Sequence, residues 1–183
     1  MKNNIKDIVI SAVALTIIGG VVTAALAGTN ALTSDTIAKQ VEQTETAARR
    51  EVMDADSFEM KITLDGEEQV TYYQGVKNGS VVGYVFTVSS TGKSSGLIVM
   101  TGITADGKVS GVKITGDNET AGYVKKVTEG GLLKAFTEKQ AQQFKLGDQI
   151  DGVSQATKTS KGVTDGVNKA VSYYNLIKEE AGK

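Results

Sequence analysis

The chain contains 183 residues, of which 40% are hydrophobic and 22% are charged, and its formal net charge is −1. This length accommodates one ordinary globular domain with an appendage, and the near-neutral charge does not favour nucleic acid as a partner. The absence of Cys and His excludes thiolate nucleophiles, Cys or His metal sites and Ser-His-Asp triads, so any redox chemistry requires an organic cofactor.

The N-terminal segment predicts a membrane-spanning helix. Residues Ile8–Ala27 form an uncharged run of 20 residues, and about 20 apolar residues span the ~30 Å hydrocarbon core of a bilayer. Lys2 and Lys6 precede this run, whereas the next basic residue is Lys39. The positive-inside rule therefore predicts a single-pass protein of the cell membrane, with a cytoplasmic N-terminus and an extracytoplasmic C-terminal domain.

A cleaved signal peptide is the alternative for the same segment, because Ala25-Leu26-Ala27 resembles a small-residue cleavage site. The apolar run exceeds the 7 to 15 residues or so of a signal-peptide core, which favours retention. Both interpretations export the remainder of the chain. We predict an anchor over residues 1–28, a juxtamembrane stalk over 29–57 and a folded domain over 58–183.

Three short segments of alternating polarity and then two apolar runs follow the stalk, and they predict an antiparallel sheet. These segments are Lys61–Leu64, Gln69–Gln74, Val82–Val88, Gly96–Ile103 and Val109–Ile114. Asp106-Gly107 separates the last two, and Asp-Gly between apolar runs is a strong hairpin signal.

Two helices are predicted after the strands. Helical spacing of apolar residues extends from Leu132 to Phe144 and from Lys161 to Glu180, and Gly130-Gly131 is interpreted as a helix break. The predicted apolar stripe of the last helix consists of Val163, Val167, Val171, Tyr174 and Ile177. The fold class is α+β: an antiparallel β-sheet with packed C-terminal helices, preceded by one N-terminal transmembrane helix.

A hydroxyl-rich turn, Asp151–Ser160, leads into the last helix. Thr159 or Ser160 can cap that helix, and the residues alone favour an ordinary capped loop. A phosphate site is the alternative, because helix N-termini attract anions and Lys158 and Lys161 add positive charge.

Residues Asp151-x-x-Ser154-x-Ala156-Thr157 resemble the D-x-x-S-G-A-T signature of the FMN-binding domain family, found in the RnfG component of Rnf complexes and in the NqrC component of the Na⁺-translocating quinone reductase. The resemblance covers nearly the whole chain. The other blocks that carry it are Arg50–Phe58, Gly83–Thr87, Leu97–Ile103, Gly107–Val112 and Glu119–Tyr123, the last similar to an E-T-P-G turn near the flavin.

The resemblance implies that an FMN transferase, using FAD and Mg²⁺, attaches FMN through its phosphate to Thr157. The cofactor-binding residues implied are Thr157 as the covalent attachment point, Ser154, Gln155, Ala156, Lys158 and Thr159 around it, and Glu119, Thr120 and Gly122 near the ring. No catalytic residue and no metal ligand is implied.

Two positions depart from the family pattern. Gln155 stands where the signature has Gly, and Ala121 stands where the E-T-P-G turn has Pro. A positive φ at the first position would favour Gly, and a Gln there would then slow or block flavinylation. Thr157 itself is retained, so we expect modification.

The resemblance implies an electron-transfer subunit of an Rnf-type ferredoxin:NAD⁺ oxidoreductase coupled to Na⁺ or H⁺ translocation, a redox component rather than a catalyst alone. Its expected partners are the other membrane subunits and the FMN transferase. The alternatives are an exported binding or scaffold domain without flavin, and a stand-alone extracellular flavodomain. Tyr173 and Tyr174 are interpreted as packing residues, with stacking on a flavin as the alternative.

Overall fold

The computed structural model describes residues 2–119 and 122–181. The chain forms two compact units, residues 1–45 and residues 46–183. Helix α1, Lys2–Val52, begins in the first unit and ends in the second. Within the first unit, Ile8–Thr29 is an apolar segment of 22 residues whose mean hydropathy reaches 2.4 over 18 residues, and its apolar side chains are exposed. Its length and composition fit a single-pass membrane helix, and a signal sequence has the same properties.

The second unit contains a five-stranded antiparallel sheet in the order β1-β2-β3-β4-β5. Its strands are β1 Ser57–Asp65, β2 Glu68–Lys77, β3 Ser80–Thr91, β4 Ser95–Thr104 and β5 Val109–Gly116. All five predicted strands are therefore confirmed. The predicted hairpin between β4 and β5 is also present, and Gly107 adopts the positive φ of 88° that such a turn uses.

One face of the sheet is covered by α4, Thr157–Ala181. All five residues of the predicted apolar stripe are buried there. Tyr173 and Tyr174 are also buried, and the Tyr174 hydroxyl donates a hydrogen bond to the Ala105 carbonyl at 3.3 Å. Both tyrosines therefore serve the core, as the packing interpretation predicts.

The start of α4 differs from the prediction, because the helix begins at Thr157 rather than near Lys161. Thr159 and Ser160 consequently lie inside its first turn, and the prediction that either caps the helix is wrong. The Ser160 hydroxyl instead accepts a hydrogen bond from the Val153 N–H at 3.1 Å. This contact fixes the turn that precedes the helix.

The opposite face of the sheet is covered at one end by the last turns of α1. Ala48, Val52 and Met53 form a buried cluster with Val85 of β3 and Met100 of β4. Residues 46–57, which belong to the predicted stalk, are therefore part of the second unit. The three-part division of the chain at residues 28 and 57 stays a prediction.

Two short helices follow the sheet, α2 at Tyr123–Glu129 and α3 at Leu132–Ala135. The predicted helix is wrong beyond Ala135, because the chain there pairs with β5 instead. The Glu138 N–H donates to the Val109 carbonyl at 2.8 Å, and the Val109 N–H donates to the Lys139 carbonyl at 2.9 Å. Gly130 and Gly131 separate α2 from α3, which confirms the predicted break. The fold is α+β, as predicted.

Candidate functional site

A tight turn leads into α4 and places the signature residues. The Ala156 N–H donates to the Val153 carbonyl at 3.0 Å, so residues 153–156 form a β-turn. Gln155, its third residue, has a φ of 62°, the sign that a type II turn requires and that favours Gly. A left-handed backbone costs a side-chain-bearing residue about 1–2 kcal/mol. Gln155 therefore adopts a positive φ at the position where the signature has Gly.

Thr157 lies next to this turn, as the first residue of α4, and its side chain is exposed. The first backbone N–H groups of a helix have no intrahelical partner and carry a partial positive charge. Thr157 borders two cavities, of about 250 Å³ and about 420 Å³. We call the smaller one the Tyr123 cavity; it is lined by Lys93, Tyr123, Gln155, Ala156, Thr157, Lys158 and Thr159.

Glu119 joins three segments beside this cavity. Its Oε2 accepts a hydrogen bond from the Thr159 hydroxyl at 3.2 Å, and its Oε1 accepts one from the Ser94 N–H at 3.2 Å. The turn between β3 and β4 is thereby held against the first turn of α4. A Cβ added to Gly162 would lie 2.7 Å from the Gly92 Cα, which shows how closely the two segments pack. Glu119 thus positions the site rather than lining the cavity.

Lys93 and Tyr123 form a contact that the sequence did not predict. The Lys93 ammonium donates to the Tyr123 hydroxyl at 3.1 Å and lies 4.4 Å from the centre of its ring. The hydrogen bond from Lys93 lowers the pKa of Tyr123 below its ordinary value. Tyr123 belongs to a block that resembles the family, but only the fold brings Lys93 to it.

Lys126 on α2 is a third cation at the edge of this site. Its ammonium donates to Gln155 Oε1 at 3.0 Å and lies 5.8 Å from the centre of the Tyr123 ring. The Gln155 side chain therefore makes a contact that Gly could not. Lys93 and the exposed Lys158 line the cavity, and Lys126 lies beside its Gln155 and Tyr123, an arrangement of three lysines that suits a phosphate or another anion.

The remaining predicted site residues are placed as follows. Ser154 is exposed in the turn, whereas Ala156 is buried, so Ala156 contributes packing beside the cavity. Gly122 immediately precedes α2 with a φ of 93°. Thr120 and the departure at Ala121 lie outside the described residues. Among residues 2–119 and 122–181, no group of three or more acidic residues is arranged to hold a metal ion.

One solved structure similar to this chain is the crystal structure of Shewanella oneidensis NqrC. It has a TM-score of 0.49 and 21% sequence identity, and the match covers 61% of this chain and 62% of that one.

Curated relatives match the chain over most of its length. The G component of the Na⁺-translocating ferredoxin:NAD⁺ oxidoreductase complex of Acetobacterium woodii is 35% identical, covering 90% of both chains. The G component of an ion-translocating oxidoreductase complex of Methanosarcina acetivorans is 30% identical, covering 73% of this chain and 76% of that protein. The corresponding component of the proton-translocating ferredoxin:NAD⁺ oxidoreductase complex of Clostridium ljungdahlii is 30% identical, covering 73% and 72%.

Two family descriptions match separate parts of the sequence. Residues 1–52 match the RnfG N-terminal region, and residues 92–172 match the FMN-binding domain. The second match contains the turn at 153–156, Thr157 and both lysines near the Tyr123 ring. Together with the relatives, these matches show that the chain belongs to the RnfG family of Rnf complex components.

Proposed function

We propose that this protein is an electron-transfer subunit of an Rnf-type ion-translocating oxidoreductase and carries FMN bound to Thr157 through a phosphoester. The observation that carries the proposal is the exposed Thr157 side chain at the N-terminus of α4, beside a cavity lined by lysines. The tight turn at residues 153–156 supports it as well, because it places Thr157 at the start of α4.

The residues around Thr157 fit the charge of a phosphoester. Lys158 and the positive end of the α4 helix dipole favour an anion at this position. The Tyr123 cavity, at about 250 Å³, is smaller than the roughly 300–1,000 Å³ of a site that encloses a whole small molecule. It would therefore hold part of the nucleotide and leave the rest accessible to a redox partner. FMN supplies the electron chemistry, and the protein supplies position and electrostatics.

The relatives and the N-terminal sequence also support proposals about the partners of the protein and its orientation in the membrane. The relatives are named as components of ion-translocating complexes, so we propose other membrane subunits as partners and an FMN transferase for maturation. One relative is named for Na⁺ and another for protons, so likeness to them does not select the coupling ion. Lys2 and Lys6 ahead of the apolar segment favour a cytoplasmic N-terminus and an extracytoplasmic flavin domain.

Intact-mass measurement tests the attachment site. The full chain is expressed in membranes with and without an FMN transferase, and the added mass of FMN is expected only with the transferase. Thr157→Ala should lose the added mass. Thr128→Ala is the matched control, because Thr128 is an exposed threonine on α2 that does not line the Tyr123 cavity. An added mass that persists in Thr157→Ala would contradict the proposal.

An exported scaffold domain without flavin is the second candidate, and the strained backbone of Gln155 is the observation that favours it. In that case the wild-type chain takes up no FMN, whereas Gln155→Gly takes it up.

A stand-alone flavodomain is tested by purification from native membranes. Recovery of the protein without other Rnf-type subunits would count against membership of a complex.

A further inference from the structure

Two residues that line the Tyr123 cavity, Lys93 and Tyr123, form a cluster with Lys126, which lies beside the Tyr123 ring. Tyr123 begins α2, and Lys93 lies 30 positions earlier on the turn between β3 and β4. Both residues line the same cavity as Thr157. A group tethered to Thr157 that enters this cavity therefore meets Tyr123 and Lys93.

Each cation in the cluster is held by contacts within the fold. Lys93 is bound to the Tyr123 hydroxyl, and the turn that carries it is tied to α4 through Glu119. Lys126 is bound to Gln155 Oε1 at 3.0 Å. Lysine side chains that are already held lose less conformational freedom when an anion binds. The arrangement is thus organised for an anion before one arrives.

The tyrosine reports the electrostatic effect of the two lysines. Lys93 lowers the pKa of Tyr123, first through its hydrogen bond and then through its charge, and Lys126 acts in the same direction. Glu119 opposes them. The contributions of the two lysines outweigh those of desolvation and Glu119, so the lysines favour the negatively charged phenolate of Tyr123.

We propose that Lys93, Tyr123 and Lys126 form an anion-binding clamp that contacts the FMN on Thr157 and favours its reduced, negatively charged form. This inference rests on the proposed attachment at Thr157. Two electrons and one proton from solvent convert neutral oxidised isoalloxazine into a ring with one negative charge. A redox centre of another protein in the complex supplies the electrons, and dithionite supplies them in the test. The positive charge raises the reduction potential because it stabilises only the product.

A redox titration of the full-length, flavinylated protein in detergent tests the clamp. Lys93→Met and Lys126→Met each remove one charge and keep a side chain of similar length. Each is expected to lower the equilibrium constant for reduction about tenfold, which is a fall of about 30 mV for a two-electron couple. Gln155→Gly should lower the potential by less, because it releases Lys126 without removing it.

Lys125→Met is the matched control for the charge change. Lys125 adjoins Lys126 in the sequence and is exposed as well, but its ammonium lies 3.7 Å from the Glu129 carboxylate and is not among the charges that shift the pKa of Tyr123. Its removal should leave the potential unchanged. Lys93→Arg should also retain the potential, because it preserves the charge.

The possible results distinguish a failure of the proposed clamp from a failure of the proposed attachment at Thr157. FMN mass on the wild-type chain, with unchanged potentials in Lys93→Met and Lys126→Met, would overturn the clamp and leave Thr157 as the attachment site. Absence of FMN mass on the wild-type chain would overturn the proposed function itself. A fall in Lys93→Arg equal to that in Lys93→Met would also overturn the clamp, because loss of packing would then explain both.

Discussion

The Glu119 carboxylate accepts a hydrogen bond from the Thr159 hydroxyl at 3.2 Å, which joins the segment before α2 to the first turn of α4. The second carboxylate oxygen accepts from the Ser94 N–H. Hydrogen bonds to a charged group contribute about 1.5–3 kcal/mol each where they are buried, and less where water reaches them, as it does at this half-buried side chain. We expect Glu119→Ala to lower the free energy of unfolding by about 1–2 kcal/mol.

Urea denaturation of the flavin-free protein measures this effect without interference from the cofactor. Glu129→Ala is the control, because Glu129 is an exposed partner of Lys125 on α2 and surface substitutions change stability by about 0.5 kcal/mol or less. Equal effects of the two substitutions would show that Glu119 does not join the three segments.

The backbone at Gln155 makes a second prediction. Gln155→Gly removes the cost of a left-handed backbone, about 1–2 kcal/mol, but adds conformational freedom to the unfolded chain. We expect a net gain of up to about 1 kcal/mol in the free energy of unfolding and flavinylation at least as fast as in the wild type. Gln155→Val should destabilise the turn, because branched side chains tolerate positive φ poorly. Denaturation curves and time courses of FMN mass check both.

Much of the fold follows from residue patterns. Alternation predicts the first three strands, the Asp106-Gly107 turn between two apolar runs predicts β4 and β5, and the stripe from Val163 to Ile177 predicts α4. The apolar pattern from Leu132 to Phe144 predicts one helix, which is wrong beyond Ala135. Phe136 and Phe144 do pack together, with ring centres 5.2 Å apart, but the residues between them form a loop that is hydrogen-bonded to β5. Helix α2 is missed because its seven residues include a single buried apolar side chain, Val127.

The candidate site also has one part that the sequence predicts and one part that it does not. Thr157 and its turn are contiguous in the sequence, so a family signature can locate them. Lys93 and Tyr123 are brought together by the fold, in which Glu119 joins the β3–β4 turn to α4. Nothing in the spacing of these residues indicates that contact. The Gln155 contact with Lys126 likewise depends on how α2 packs beside the turn.

A third prediction concerns Thr101, which lies in the core of the sheet. Its side chain is fully buried in β4, and within the described part of the chain its hydroxyl has no hydrogen-bond partner. Thr101→Val replaces that hydroxyl with a methyl group of similar size, so we expect stabilisation by about 1 kcal/mol. Thr164→Val is the contrasting variant, because the buried Thr164 hydroxyl donates to the Ser160 carbonyl at 2.9 Å. Thermal unfolding should show a gain in stability for Thr101→Val alone.

The packing of α1 on the sheet makes a fourth prediction. A Cβ at Gly111 would lie 2.8 Å from the Val52 Cα. This neighbour is a backbone atom, which cannot move aside as the end of a flexible side chain could. We expect Gly111→Ala to destabilise the second unit by about 1–3 kcal/mol, as overpacking does. Gly152→Ala is the control, since its Cβ would lie 3.5 Å from the nearest Leu146 atom. Similar denaturation midpoints for the two variants would contradict close packing of Val52 on β5.

The Lys93–Tyr123 contact makes the last prediction, through the titration of the phenol. Its hydrogen bond to Lys93 holds the pKa of Tyr123 below the ordinary value of about 10, so the folded state binds this proton less tightly than the unfolded state. The contribution to stability is therefore present above the unfolded pKa and is lost as pH falls through the folded pKa. Subtracting the ultraviolet titration of Tyr123→Phe from that of the wild type isolates this group. Lys93→Met should raise the pKa of Tyr123 toward its ordinary value, whereas Lys125→Met should leave it in place, and a pKa that is the same with and without Lys93 would show that the contact does not form in solution.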